Sequence, residues 1–342
     1  MNNVTITIDA MGGDYGVAVT VPAALSILKK YANVRLVLVG DEKQIKSQLG
    51  FLRRNNKRLS IHHASQQVTM DELPSKALRT KKDSSMRVAI DLVKSGEAQA
   101  CVSAGNTGAL MVISRFVLRT LSGVDRPAIV TIFPTVNSSK DVRMLDLGAN
   151  INSCADHLYQ FAVMGSVLTS ALDDIETPKV GLLNIGEEEI KGNDLVKHAA
   201  QLLSESKHIN YIGYVEGDDV FKGIADVVVC DGFVGNVALK VIEGTMQLIA
   251  FYIKQGFKKN WYSRIAAITA YPVLNDLKKK LDPGRYNGAS LLGLQGIVIK
   301  SHGGANTPSF ANAIKEAILE VEKNVPQRIG EQVGIMLEEA EF

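Results

Sequence analysis

The sequence predicts an α/β protein: a three-layer α/β/α fold with a mostly parallel, Rossmann-like central sheet and a protruding amphipathic helical segment. Three observations carry that expectation. Short, nearly continuous apolar runs recur along the chain, helical patterns alternate with them, and one helical stretch is far longer than a strand-to-strand crossover needs. Runs without polar alternation suit strands covered on both faces. Strand and helix in alternation imply βαβ units with right-handed crossovers. No repeat, low-complexity tract or Pro/Gly-rich linker divides the 342 residues, so one domain is expected.

The runs read as strands are V-T-I-T-I-D (4–9), V-R-L-V-L-V-G (34–40), A-C-V-S (100–103), A-I-V-T-I-F (128–133) and M-L-D-L-G (144–148). The series continues with K-V-G-L-L-N-I-G (179–186), I-N-Y-I-G-Y (209–214), A-D-V-V-V-C-D-G (225–232) and G-I-V-I-K-S-H-G (296–303). Helical periodicity fills 16–31, 42–54, 84–96, 107–121, 155–172, 192–206 and 307–324. The long segment spans 237–282. Met246, Ile249, Ile253 and Phe257 recur there at helical spacing, while Gln247, Lys254, Gln255, Lys258 and Lys259 take other faces. A second piece carries Trp261, the only tryptophan, with Ile265 and Ile268, and after Pro272 come spaced leucines beside Lys278, Lys279 and Lys280. Such a helix pair with basic edges suits packing on the sheet, on a second subunit or on a membrane surface.

Composition narrows the class. With 46% hydrophobic and 22% charged residues, and no uninterrupted apolar run of about 18, a soluble globular chain without a membrane span is expected. Met1-Asn2-Asn3 leads directly into a strand pattern, so no secretory leader is read and a cytoplasmic location is expected. A net charge of +2 gives no signal for a nucleic-acid partner. Cys101, Cys154 and Cys230 are an odd number without C-x-x-C spacing, which argues for small buried thiols over disulfides or zinc. No Cys/His cluster suggests a metal, and the His62-His63 pair reads as a strand passing two faces.

In an open parallel sheet, ligands bind beyond the carboxyl ends of the strands. Six such places combine glycine with Asn, Asp or Ser: I-D-A-M-G-G-D (8–14), S-A-G-N-T-G (103–108), D-L-G-A-N (146–150), N-I-G-E-E-E-I-K-G-N (184–193), C-D-G-F-V-G-N (230–236) and S-H-G-G-A-N (301–306). Glycine lets backbone approach a ligand closely, and free N–H groups at a helix start attract anions. Each loop alone is equally a turn or a helix cap; six at equivalent places point to a shared anion-binding cleft. The familiar nucleotide grips are absent: no G-x-G-x-x-G follows a strand, no G-x-x-x-x-G-K-[ST] occurs, and the G-x-S-x-G elbow is missing, so no cofactor is expected.

At these loops, and at D-R-P-A, G-L-L-N-I-G, K-G-N-D-L, V-V-V-C-D-G-F-V-G-N-V-A-L-K and Y-N-G-A-S-L-L-G, the chain resembles the bacterial phosphate acyltransferases, from residue 8 to beyond 300. The resemblance implies a fold akin to phosphotransacetylases and isopropylmalate dehydrogenases. It implies reversible transfer of a long-chain fatty acyl group from acyl carrier protein to inorganic phosphate, by a homodimer at the inner face of the cell membrane. A membrane glycerol-3-phosphate acyltransferase would consume the product in phosphatidic acid synthesis. The chain departs from the pattern at Glu187-Glu188-Glu189-Ile190-Lys191, where relatives commonly carry threonine, an acid and two bases, and in the Gly-rich S-H-G-G-A-N-T.

Phosphate near neutral pH is already substantially a dianion, and the leaving thiol ionises near pH 8.5 by about its ordinary pKa. The task is to hold phosphate against the thioester and stabilise an oxyanion. Asn106, Thr107 and the helix start after Gly105 are read as the phosphate site, with Asp9, Gly12, Gly13, Asp14, Ser103 and the Gly148 to Asn150 turn beside Asp231 and Gly232 closing it. Lys191 would offset phosphate charge, Asn184, Asn193 or Asn236 would hold the oxyanion, and His302 would handle a proton. An acyl-cysteine route through Cys101 or Cys230 is disfavoured because no histidine is near in sequence. Met246, Ile249, Ile253, Phe257, Trp261, Ile265 and Ile268 are read as membrane contacts. Arg53-Arg54, Lys57-Arg58, Arg79 to Lys82 and the lysines of the long helical segment are candidate carrier-docking clusters. An acetyl-CoA phosphotransferase and a non-catalytic membrane scaffold are the competing readings.

Overall fold

Strand β1 (Val4–Asp9) buries Val4, Ile6 and Ile8 on one face and turns Thr7 and Asp9 to the other, so a short run serves two helix layers at once. The computed structural model describes residues 3–50, 56–137, 140–281 and 283–340, without the side chains of 278–281, 283 and 337–340. Arg53 and Arg54, and the side chains of Lys278, Lys279 and Lys280, lie outside the described residues. The other strands are β2 (Val34–Gly40), β3 (Leu59–His63), β4 (Ala100–Ser103), β5 (Ala128–Pro134), β6 (Asp141–Leu145), β7 (Lys179–Leu183), β8 (Asn210–Val215), β9 (Val227–Val229), β10 (Ala289–Leu292) and β11 (Ile297–Lys300). The helices are α1 (Val17–Lys30), α2 (Glu42–Leu49), α3 (Pro74–Thr80), α4 (Ser85–Lys94), α5 (Thr107–Leu118), α6 (Ala155–Asp173), α7 (Asp194–Glu205), α8 (Gly232–Lys258), α9 (Trp261–Thr269), α10 (Tyr271–Leu281), α11 (Thr307–Glu322) and α12 (Val325–Ala340).

One sheet holds all eleven strands, in the order β3-β2-β1-β4-β11-β10-β5-β6-β9-β7-β8. Two parallel blocks, β3-β2-β1-β4-β11 and β6-β9-β7-β8, flank β10 and β5. Strand β10 is antiparallel to both β11 and β5, and β5 is antiparallel to β6, so the two blocks run in opposite senses. On the ladder, the carboxyl ends of β1, β4 and β11 therefore lie at the opposite border from those of β6, β9 and β7.

Helices cover both faces. On one, α3, α4, α5 and the base of α8 pack over residues such as Cys101, Val228 and Val298. On the other, α1, α2 and α11 cover the first block, and α6, α7 and α12 cover the second. Polar residues that follow the strands start many of these helices: Asp41, Ser84, Asn106, Asn193, Asp231 and Asn306 each accept a backbone N–H of the first turn. Such caps are each worth about 1 kcal/mol.

Several boundaries differ from the sequence reading. The run at 144–148 lies in the ladder earlier, as β6, because Asp146 leaves it to collect the N–H groups of Ile129, Ala149 and Asn150. The long helix starts at Gly232 instead of 237, directly after its Asp231 cap. Its distal half and α9 and α10 form three helices where a pair was expected. Met246, Ile253 and Phe257 are half-buried, whereas Ile249, Trp261, Ile265 and Ile268 are exposed. Val241, Leu248, Phe251 and Tyr252 are exposed as well, so the apolar surface is broader than one stripe. By length and composition α8 could cross a membrane, and only 6% of its most apolar window is buried. Cys101 and Cys230 are buried as expected, but Cys154 is exposed, because it occupies the cap position of α6.

Candidate active site

Three adjacent parallel strands, β1, β4 and β11, bring one group of loops together. Ile8 lies opposite Val102, and Val102 opposite Ile299, so Asp9, Ser103 and Lys300 form the next row and project to one face. Ser103 Oγ donates to Asp9 Oδ2 at 2.6 Å and accepts the Gly105 N–H at 3.0 Å. The Asp14 N–H donates to the Gly303 carbonyl and the Ser301 N–H to that of Ser103. Gly12 is buried between Asp9 and Gly105. Gly13 holds φ at +84°, and a side chain there would stand 2.9 Å from both Ala104 Cβ and the Gly303 oxygen. The three loops therefore touch.

The polar side chains of this group are mostly spoken for. Asn106 Oδ1 accepts the Ala109 N–H, and its Nδ2 donates to the carbonyls of Met70, at 2.7 Å, and Glu72, at 3.1 Å. That carboxamide holds a strap over the start of α5, and the exposed Thr107 opens the helix. His302 is exposed; its Nδ1 accepts the Gly304 N–H, and its own N–H donates to Asn287 Oδ1 at 2.8 Å. Asn287 Nδ2 in turn donates to Ser301 Oγ and the Ser309 carbonyl. Lys300 is buried, and its Nζ donates to the carbonyls of Ala104 and Ser301.

The second group stands at the ends of β6 and β9. Asp146 accepts four hydrogen bonds, from Ile129, Ala149 and both the backbone and side chain of Asn150, whose Nδ2 also donates to the Pro127 carbonyl. A side chain at Gly232 would meet the Asn150 carbonyl at 2.4 Å, and one at Gly148 would meet Asn236 at 3.2 Å. Asn236 is exposed, and its amide has no hydrogen-bond partner among the described residues. A third group follows β7. Buried Asn184 donates to the carbonyls of Gly186 and Lys191, Asn193 caps α7, and the Lys191 side chain is exposed.

The six loops thus form separate groups at two borders of the ladder instead of one set of equivalent strand ends. Reversal of the sheet at β10 and β5 is the reason. What links the borders is α8: it begins at Gly232 in the second group and carries Lys240 close enough to Lys300 in the first to disfavour its charge. Lys300, Lys240, Asn287 and the Met70 strap escaped the sequence reading. Lys300 closes an apolar run and Asn287 sits inside a matched motif, so only the register could single them out.

Burial dominates the electrostatics. It raises the pKa of Asp9 and Asp146 from the ordinary carboxylate value, against hydrogen bonds that oppose it. It pushes the thiols of Cys101 and Cys230 up as well, with Asp9 and Asp146 adding to the effect, so neither is poised as a thiolate. Burial pulls Lys300 down to about 8. Glu216, Asp218 and Asp219 lie together elsewhere, and Asp218 and Asp219 both pair with Lys222. A row of buried Asp, Ser and Lys beneath glycine loops and a helix start can hold an anion and move a proton; it holds no activated nucleophile.

Comparison with known proteins supplies the family. Residues 4–328 match the family described as Fatty acid synthesis protein. The phosphate acyltransferase of Coxiella burnetii is 59% identical over 339 residues, covering 98% of each chain. That of Nitrosococcus oceani is 56% identical over 340 residues, covering 99% of each. In structure, a phosphotransacetylase from Streptococcus pyogenes superposes with a TM-score of 0.61 at 17% identity, over 96% of this chain and 94% of its own, which shows a shared α/β fold.

Proposed function

We propose that this chain, which belongs to the fatty acid synthesis protein family and is a phosphate acyltransferase, moves a long-chain fatty acyl group from acyl carrier protein to inorganic phosphate. One observation carries the mechanism: the glycine loops after β1, β4 and β11 meet over a polar row with no activated nucleophile, so the nucleophile comes with the substrate. Phosphate sits at the start of α5, where the Asn106 side chain takes the Ala109 N–H and leaves those of Thr107 and Gly108 for an anion. Its oxygen attacks the thioester carbonyl directly, the C–S bond breaks, and acyl phosphate and free carrier protein leave. Asn236, with its unengaged amide, is the preferred oxyanion donor, ahead of Asn184 and Asn193, whose side chains are already bonded. Lys191 is assigned to offset phosphate charge, which requires the exposed loop after β7 to approach the start of α5 from the opposite border.

Carrier protein is acidic in this reaction, and the exposed Arg79, in the last turn of α3, and Lys82, just beyond it, stand on a helix that packs on α5 beside the phosphate site. Arg58 is a poorer docking group, since its guanidinium donates to the Leu28 and Ala32 carbonyls at the end of α1. The exposed apolar surface of α8, α9 and α10 supports a homodimer contact and peripheral attachment at the inner membrane face, where a membrane glycerol-3-phosphate acyltransferase takes the product. The test is acyl-phosphate formation with palmitoyl carrier protein and with acetyl-CoA. The reading requires the former to win by at least about 10²-fold in kcat/KM, roughly 2.7 kcal/mol; equal rates would assign the acetyl reaction. Vesicle binding without any acyl phosphate would assign a scaffold.

A further inference from the structure

Lys300 is the only buried lysine among the described residues, and neither helix packing nor an ion pair at hydrogen-bond distance accounts for it. It ends β11, one strand from Ser103 and two from Asp9, in the row that projects under the start of α5 and the base of α8. An ammonium has three N–H groups. Two carbonyls, from the loops after β4 and β11, accept from it, which leaves one donor. In the same row Asp9 Oδ2 holds Ser103, while the buried Oδ1 has no well-aligned partner, with the Ser85 hydroxyl and the Met11 and Gly12 N–H groups near the carboxylate. Buried polar atoms without partners are costly, and a spare donor and a spare acceptor under an anion-binding loop point to a ligand between them. The charged groups facing Lys300 are Asp9 from β1, Asp14 from the loop before α1, and Lys240 from α8.

Building on the phosphate-transfer reading, we propose that Lys300 is a catalytic residue that contacts phosphate and passes a proton to the departing thiolate of the carrier. The atoms balance. Monohydrogen phosphate forms the new C–O bond, the C–S bond breaks with its electron pair on sulfur, and Lys300 gives sulfur a proton. The phosphate hydroxyl, made more acidic by acylation, returns a proton to the amine, so Lys300 ends charged as it began. Its depressed pKa of about 8 lies near that of a thiol, about 8.5, which is where such a relay works best. Asp9 is a positioning residue whose carboxylate favours the charged amine and opposes the effect of burial, and Ser103 supports that carboxylate by donating to Oδ2.

The test varies the leaving group. Lys300→Met and Lys300→Arg are assayed with palmitoyl carrier protein and with a palmitoyl aryl thioester, whose thiolate leaves without a proton. A general acid contributes about 10²–10⁴-fold, so the Met variant should lose at least about 10² in kcat with the carrier substrate and far less with the aryl one. Arg keeps the charge, so it should hold the phosphate KM while losing kcat and the limb of the pH profile near 8. Equal losses on both thioesters, or no loss, overturn the proposal. If the Met variant misfolds, Arg alone decides by the same comparison. A wild type that forms no acyl phosphate would instead bring down the functional reading beneath it.

Discussion

Replacing Gly13 by alanine probes the contact between the three loops, and Gly96 supplies its control. Both glycines hold nearly the same backbone angle, φ +84° and +80°, but a side chain at Gly96 would meet nothing within 4 Å. Left-handed backbone costs a side-chain-bearing residue about 1–2 kcal/mol, and that is the whole cost expected for Gly96→Ala. At Gly13 the new methyl would lie 2.9 Å from Ala104 Cβ and from the Gly303 oxygen, both held by the loops. Ordinary contact begins near 3.4 Å, so the loops must part by about half an ångström, adding about 1–3 kcal/mol as overpacking. Urea unfolding at constant slope should therefore place Gly13→Ala about 2–5 kcal/mol below wild type and Gly96→Ala about 1–2 below. Because loss of alignment by about 1 Å can cost about 10²-fold, Gly13→Ala should also lose at least about 10-fold in kcat/KM for phosphate, with Gly96→Ala unaffected. Equal destabilisation of the two variants with phosphate kcat/KM intact would refute the claim that these loops form the site.

Other consequences are equally direct. The double variant Cys101→Ala, Cys230→Ala should keep turnover within about threefold, since burial keeps both thiols protonated; lost turnover in a folded protein would revive the acyl-cysteine route. Lys191→Ala should raise the phosphate KM about 10-fold, or about 1.4 kcal/mol, and an unchanged KM would detach the β7 loop from the phosphate site. Burial, with Glu316 beside it, lifts Glu320 from 4.5 to about 8, so the folded chain holds a proton that the unfolded chain has released. Stability should accordingly fall as pH rises between those values and level off above them. Glu320→Gln should thus gain more in Tm over wild type at pH 8 than at pH 5; an equal difference at both would show that the glutamate ionises normally.

The strands that carry the site were legible because β1, β4 and β11 are apolar runs closed by glycine, and their neighbours in the ladder follow from βαβ logic. The reversal was not. Strand β10 is only A-S-L-L between Gly288 and Gly293, too short for a pattern, yet its antiparallel pairing separates the strand ends into two borders. Asn106 and Asn193 looked alike in sequence, as ligand or cap, and the structure shows both as caps. Lys300 was hidden for the opposite reason: nothing local marks it, and its meaning lies in Ser103 and Asp9, about 200 and 300 residues away, brought level by the parallel register. Helix α12 was hidden because it follows α11 after only two residues, Lys323 and Asn324, so that the start marked by Asn324 and Pro326 reads equally as the end of α11.

Direct attack of phosphate on the thioester is the central claim, and rapid quenching with carrier protein bearing a radiolabelled palmitoyl group tests it most directly. Without phosphate the label should stay on the carrier, and with phosphate it should pass to acyl phosphate with no label ever fixed to this chain. Label bound covalently to the chain before phosphate is added, and released on its addition at the rate of turnover, would contradict the account.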